Sequence, residues 1–353
     1  MLNLHAAALF LSRLPIKDRD SSRMVPFLLN PNQQIVMAKL QKRIEASHPL
    51  PLWMICCKAR RVGFSSLADG LITLNQAEKP NGKGLIVAHL SSTSEALFSV
   101  PKNLYKAFPF IQPDPLSTVL KFPHPEGDSQ LSIATAGTVV GGRGMTLSDL
   151  HLSEAAYFPG VGAFTSLISA VSRTPENMVA VESTANGKTG TGQAFFDLWN
   201  DAVREANEFL AIFLSWTDDP TCRRSAEEVI ADCPIDEDEK DLIALLGCPD
   251  FCGRCAQCHK ALECAAWRRW AINNLCQGYA ETFRQEYPTT AEEAFIVSSN
   301  PAFAREELRQ ARKDIREPIA EGRLELANSN EPPPSTSAPE LDTVELNEVE
   351  SVG

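Results

Sequence analysis

Lys58, Gly63 and Ser65 are spaced as a cation, a turn and a hydroxyl able to grip a chain of phosphates. They lie in Ile55-Cys56-Cys57-Lys58-Ala59-Arg60-Arg61-Val62-Gly63-Phe64-Ser65-Ser66, an apolar strand running into a turn and then a helix. A bound triphosphate needs backbone N–H groups from a turn and a helix N-terminus, a cation at the β/γ oxygens and a hydroxyl on Mg²⁺. Gly63, with a helix starting at Ser65, supplies the first, Lys58 the second and Ser65 the third. Against the pattern G-x-x-x-x-G-K-[ST], Lys58 stands at the first glycine and Phe64 at the usual lysine, so the motif is broken twice. The candidate nucleotide contacts are Lys58, Ala59, Arg60, Arg61, Val62, Gly63, Phe64, Ser65 and Ser66; an ordinary basic loop is the alternative.

The partner of such a loop is an acid at the end of a neighbouring strand. Residues 147–154 read as a hydrophobic strand whose Leu150-His151-Leu152 ends at Ser153-Glu154, the layout of a Walker B strand. Ser153 replaces the usual aspartate, which leaves Ser65 and Ser153 as the candidate Mg²⁺ ligands. Glu154 is the candidate base that orients water; a helix acid favoured by the macrodipole is the alternative. Gly141-Gly142-Arg143-Gly144 carries one guanidinium in a glycine-rich turn, and Arg143, Arg60 and Arg61 are candidates for a finger on the γ-phosphate. Ser183, Thr184 and Asn186 follow a strand at 177–182, where the strand ends of a parallel sheet face a ligand, or simply form a turn. Gln33 and Gln34 open a helix at 31–40. Their amides can pair with the edge of adenine, or can simply be solvated.

These groups need a scaffold that brings strand ends together. Apolar strands at 55–58, 84–89, 131–135, 147–152, 177–182 and 209–214, with helices at 31–40, 65–75 and 95–106, alternate as βαβα units. The expected fold is α/β: a three-layer P-loop NTPase domain with a mainly parallel central sheet. A small helical, Cys-rich insertion and a disordered acidic tail complete it.

Cys248, Cys252, Cys255 and Cys258 form the second chemical cluster, with His259 and Cys264 as alternates. Zinc takes four thiolates or imidazoles, and a C-x-x-C turn points two sulfurs at one ion; buried free thiols are the alternative. Cys56 and Cys57 read as core, whereas Cys222, Cys233 and Cys276 lack partners in sequence. Residues 265–271 read as a helix carrying Trp267, Arg268, Arg269 and Trp270, for packing, DNA stacking or contact with a neighbouring subunit.

A chain of 353 residues with net charge −12 is no general coat for nucleic acid, so any DNA contact must be a local basic patch. Residues 331–353 hold six acids and no lysine or arginine, half of that net charge, in a Pro/Ser-rich context that stays disordered. No export signal or membrane-spanning run is visible, which predicts a cytoplasmic protein with reduced cysteines and no membrane partner.

Taken together, residues 25–310 resemble the N-terminal ATPase domain of tailed-phage terminase large subunits, the DNA-packaging motors. Pro31-Asn32-Gln33-Gln34 is similar to the family's adenine motif. Lys58 to Ser65 is similar to its variant loop with the lysine moved to the start, and Ser153-Glu154-Ala155-Ala156-Tyr157-Phe158 to a Walker B variant. Arg143-Gly144 is similar to the Arg-Gly before that strand. Glu182-Ser183-Thr184-Ala185-Asn186-Gly187 resembles the coupling motif, and residues 283–288 with 292–295 resemble the stretch closing the domain. The resemblance implies ATP and Mg²⁺ as cofactors and double-stranded DNA, a portal protein and a small terminase subunit as partners. It also implies a homo-oligomeric ring on the portal. The family's nuclease domain finds no counterpart here, which implies no DNA cleavage by this chain and a nuclease, if any, on a separate chain. The expected division is an N-terminal extension (1–24), a P-loop ATPase core (25–225), a lid-like helical region (226–310) holding the Cys-rich insertion at 248–264, and a helix end with acidic tail (311–353). A noncatalytic docking module on a degenerate ATPase fold, and a helicase-like DNA remodeller, are the rival readings.

Overall fold

Alternating apolar strands and amphipathic helices build one large sheet covered on both faces. The computed structural model describes residues 2–18, 21–46, 50–109, 116–138, 144–159, 161–227, 235–248 and 252–296. Helix α1 (Leu4–Ser12), a hairpin of β1 (Pro15–Lys17) and β2 (Met24–Pro26), and α2 (Pro31–Ile44) precede the sheet. The sheet contains β3 (Leu52–Lys58), β4 (Lys83–Ala88), β5 (Val119–Phe122), β6 (Ser129–Thr135), β7 (Asp149–Ser153), β8 (Met178–Ser183) and β9 (Leu210–Leu214). Their spatial order is β5-β6-β4-β7-β8-β3-β9. Only the edge pair β5/β6 is antiparallel; every other pair is parallel.

Parallel strands need helical crossovers, and these cover both faces. Helices α3 (Phe64–Glu78) and α4 (Ser91–Tyr105) bury Leu67, Leu71, Phe98 and Leu104 against Met54, Ile86 and Ala180. Helices α5 (Val161–Ser169) and α6 (Gln193–Val203) bury Phe164, Leu167, Phe195 and Trp199 against Ile55, Leu152 and Val181 on the opposite face. The result is three layers, with β3, β7 and β8 buried along their whole length. Beyond β9 come α7 (Glu237–Leu246), α8 (Ala256–Leu275), α9 (Ala280–Glu286) and α10 (Ala291–Ile296).

All six expected strands lie in the sheet. Edge strand β5 and the β1–β2 hairpin were not anticipated: four- and three-residue strands carry too few alternations to show a period. Arg143, Cys233 and the acidic tail expected at 311–353 lie outside the described residues.

Trp267 and Arg268 are buried rather than presented to solvent. Trp267 stacks on Trp216 at 4.9 Å between ring centroids. Arg268 donates to Asp238 at 3.0 Å and Arg269 Nη2 to Glu239 at 2.6 Å, both on α7. This aromatic and basic face of α8 is therefore packing with paired arginines.

Candidate functional site

The loop between β3 and α3 begins with Lys58 as the last strand residue and ends with Gly63 as the helix N-cap. Gly63 has φ +82°, and a Cβ there would lie 2.9 Å from Gln33 Nε2 and 3.1 Å from Asn30 Nδ2. Only glycine accommodates both constraints. The crowding comes from α2, whose N-terminus is bolted to the loop. Asn30 and Gln33 form a reciprocal capping box, and their amides then donate to Val62 O at 3.1 Å and Gly63 O at 2.8 Å. Gln33 thus commits its Oε1 and one Nε2 hydrogen to the chain itself. Gln34 donates to Leu29 O and lines a separate cleft with Asn3 and Met37, so the two glutamines are not brought together. A cleft of about 270 Å³ opens beside the loop, lined by Gln33, Arg61, Gly63, Ser66, Phe27 and Asp219 among others.

Lys58 is buried, with its ammonium 3.1 Å from both Glu154 Oε1 and Glu182 Oε2. Burial alone would pull its pKa down; Glu182 first and Glu154 second more than offset this and hold it well above the ordinary lysine value. The chain leaves β7 at Ser153, and Glu154 takes a left-handed conformation, φ 56°, that a glutamate adopts at a cost. From there its side chain, 38% exposed, faces Lys58. The expected cation and acid thus meet in one cluster.

Glu182 lies at the centre of this cluster, and sequence reasoning had placed it only within the coupling motif. Its Oε1 accepts hydrogen bonds from Ser65 Oγ at 2.7 Å and Ser153 Oγ at 2.8 Å. Burial would raise its pKa, but Lys58 and then His151 hold it well below the usual carboxylate range. Behind it, His151 Nδ1 sits 2.7 Å from Asp69 Oδ1 on α3. Burial pulls the imidazole down; the Asp69 carboxylate, then Glu182, outweighs this and pushes it up to about 9. Three ionisable residues inside otherwise apolar or fully buried segments, Asp69, His151 and Glu182, were the available sequence signal.

The residues after β8 contact the same acid. Ser183 Oγ and the Thr184 N–H approach Glu154 Oε2 at 3.3 and 3.4 Å. Thr184 Oγ1 is 3.2 Å from the Tyr157 hydroxyl, which Gln285 Nε2 reaches at 3.4 Å. Asn186 donates to Ala156 O at 3.1 Å and Thr191 Oγ1 at 2.9 Å, away from Glu154. Arg60 is ion-paired to Glu286, and its backbone N–H donates to Glu286 O at 2.8 Å.

The second cluster stands where α7 meets α8. Cys248, Cys252, Cys255 and Cys258 bring their sulfurs within 4.8 Å of one another, a group that can hold a metal ion. Cys258 Sγ lies 3.5, 3.9 and 3.5 Å from those of Cys248, Cys252 and Cys255. Backbone N–H groups of Arg254 and Cys255 pull the Cys252 thiol down to about 6. His259 is exposed and Cys264 is buried in the core, and neither joins the group.

Among solved structures, the HK97 bacteriophage large terminase matches 82% of this chain and 55% of its own, at 14% identity and a TM-score of 0.51. The chain has the fold of a large-terminase ATPase domain. The Thermus phage P74-26 large terminase ATPase domain matches 71% of this chain and 91% of its own, at 14% identity and a TM-score of 0.43. The large terminase of another thermophilic bacteriophage, in complex with ATP-gamma-S, matches 53% of this chain and 46% of its own, at 13% identity and a TM-score of 0.40. This chain therefore spans about half the length of the HK97 terminase and of that nucleotide-bound terminase, 55% and 46%. No family model and no curated protein matches the chain.

Proposed function

We propose that this chain is the ATPase of a phage DNA-packaging motor, a terminase large subunit that hydrolyses ATP with Mg²⁺ to drive double-stranded DNA into a procapsid. The observation that carries this reading is Lys58 Nζ lying 3.1 Å from Glu154 Oε1 at the mouth of a parallel sheet. In open α/β folds that is where ligands bind.

The turn at 59–63 and the first N–H groups of α3 receive the phosphates, with Ala59, Arg60, Arg61, Val62, Phe64 and Ser66 framing the loop. Lys58 neutralises the β/γ oxygens, and Glu154, the partly exposed member of the cluster, orients water. Preorganised charge of this kind carries most phosphoryl-transfer catalysis. Mg²⁺ fits the hard oxygen donors of Ser65 and Ser153, and when bound it supplies charge neutralisation at the transferring phosphoryl group. Gln33 holds the loop and keeps one amide hydrogen for the adenine edge, with Gln34 the second adenine candidate. Arg60, Arg61 and Arg143 are the finger candidates. Ser183 and Thr184, bonded to Glu154, pass loss of the γ-phosphate through Tyr157 toward Gln285, and Asn186 braces this turn.

Zn²⁺ fits the four-cysteine group. A Zn–S bond of about 2.3 Å in a tetrahedron separates sulfurs by about 3.8 Å, close to the 3.5 to 3.9 Å seen around Cys258. The cytoplasm of the host is the proposed location; no helix among the described residues is long and apolar enough to cross a membrane. A portal protein, a small terminase subunit, sister copies in a ring and a nuclease on a separate chain are the proposed partners. Residues 25–225 act as the ATPase core and 226–310 as its lid, following the N-terminal extension 1–24 and preceding the acidic tail 311–353.

The test is Mg²⁺-dependent ATP turnover in the presence of portal and DNA. Glu154→Gln is expected to lower the rate by about 10²- to 10⁴-fold while nucleotide binding persists. Turnover unchanged in that variant overturns the assignment of Glu154. A wild-type chain that hydrolyses nothing under these conditions is the docking module instead.

A further inference from the structure

The strand that should end in a metal-organising acid ends in a serine, yet an acid occupies the adjacent rung. Ser153, the last residue of β7, has Glu182 of β8 as its Cα partner across the parallel ladder. Glu182 is in turn the partner of Cys56 on β3, two residues before Lys58. Side chains alternate along a strand, so 153, 182, 56 and 58 share one face of the sheet, the face that α3 and Ser65 cover. The Glu182 carboxylate is fully buried and receives both hydroxyls on Oε1. Its Oε2 is ion-paired with Lys58 but accepts no hydrogen bond.

A counterion for Lys58 does not explain this arrangement, because Glu154 already provides one at 3.1 Å. A second carboxylate taken wholly out of water is costly unless other charges and donors compensate it. Here it gathers the loop hydroxyl and the β7 hydroxyl onto a single oxygen, which makes three hard oxygen donors at the place where a triphosphate-bound divalent cation is neutralised.

We propose that Glu182 is the carboxylate of the divalent-cation site, supplied from β8 in the role that the end of β7 leaves to Ser153. The proposal rests on the nucleotide-hydrolysing reading above and assigns the acid that reading lacks.

Mn²⁺ with ADP is the probe, with free Mn²⁺ read by electron paramagnetic resonance and competed by Mg²⁺. Folding is checked by thermal melting. Glu182→Gln is expected to weaken Mn²⁺ binding to the ADP complex by roughly ten-fold or more, while ADP affinity measured in chelator stays at the wild-type value. Returning the acid to β7, in the double variant Ser153→Asp/Glu182→Gln, is expected to restore Mn²⁺ affinity. It also keeps a carboxylate near Lys58 should the single variant not fold. Wild-type Mn²⁺ affinity in a folded Glu182→Gln chain overturns the proposal and leaves the ATPase reading intact. So does a double variant that binds ADP but not Mn²⁺. A wild-type chain that binds no ADP overturns both.

Discussion

The Lys58 cluster and the four-cysteine cluster solve opposite problems. Lys58, Glu182, Ser153 and His151 sit on adjacent, paired strands inside a sheet, so the backbone ladder places them whether or not an ion is bound. The cysteines sit on a loop and one helix turn, held by little besides each other. A site on strands keeps its shape at the cost of burying charge. A site on a loop avoids that cost, and its geometry depends on the metal it holds.

Three perturbations test this contrast. The largest effect is expected from Cys252→Ser/Cys255→Ser: bound zinc, measured by elemental analysis, falls from one per chain to none. Protease cleavage appears between α7 and α8, while ADP affinity at the distant loop is unchanged. Loss of ADP binding in that variant would mean that the two clusters are not independent. Next is Lys58→Ala, which strands buried Glu182 without its cation and should lower unfolding free energy by about 3–5 kcal/mol, read by denaturant melts. A stability close to wild type would show that the ladder does not hold the carboxylate in place.

The smallest is a pH effect from the same cluster. His151 has its pKa raised from 6.5 to about 9, so the stability it contributes is complete below the unfolded value and is lost as pH rises through the folded one. The loss amounts to at most about 3 kcal/mol. It should show as a falling melting temperature between pH 7 and 10. In Asp69→Asn/His151→Gln, which leaves Glu182 facing a neutral amide, that slope should vanish. An unchanged slope would place the titration elsewhere.

Much of the sheet was legible because long, fully buried parallel strands such as β3 and β8 read as continuous apolar runs, and the four cysteines because their spacing is itself the chemistry. Lys58 and Glu154 were legible as ends of strands. Glu182 was not, because its meaning lies in a cross-strand partner 29 residues away in sequence, and no local pattern reports which strand becomes a neighbour. Gln33 illustrates the same limit: its amide looked free for a ligand, yet the chain claims it for Gly63. The arginines of α8 looked solvated on a helical wheel, and only the placement of α7 revealed their carboxylate partners.

The rung joining Ser153 to Glu182 has a consequence for variation in such proteins. Two side chains facing each other across a parallel ladder occupy almost the same volume of space, so an acid can migrate sideways from one to the other without moving the cation it serves. Substitution by aspartate on one strand then relaxes the demand for glutamate on the next. Chains that differ at both positions together should therefore work where either exchange alone fails.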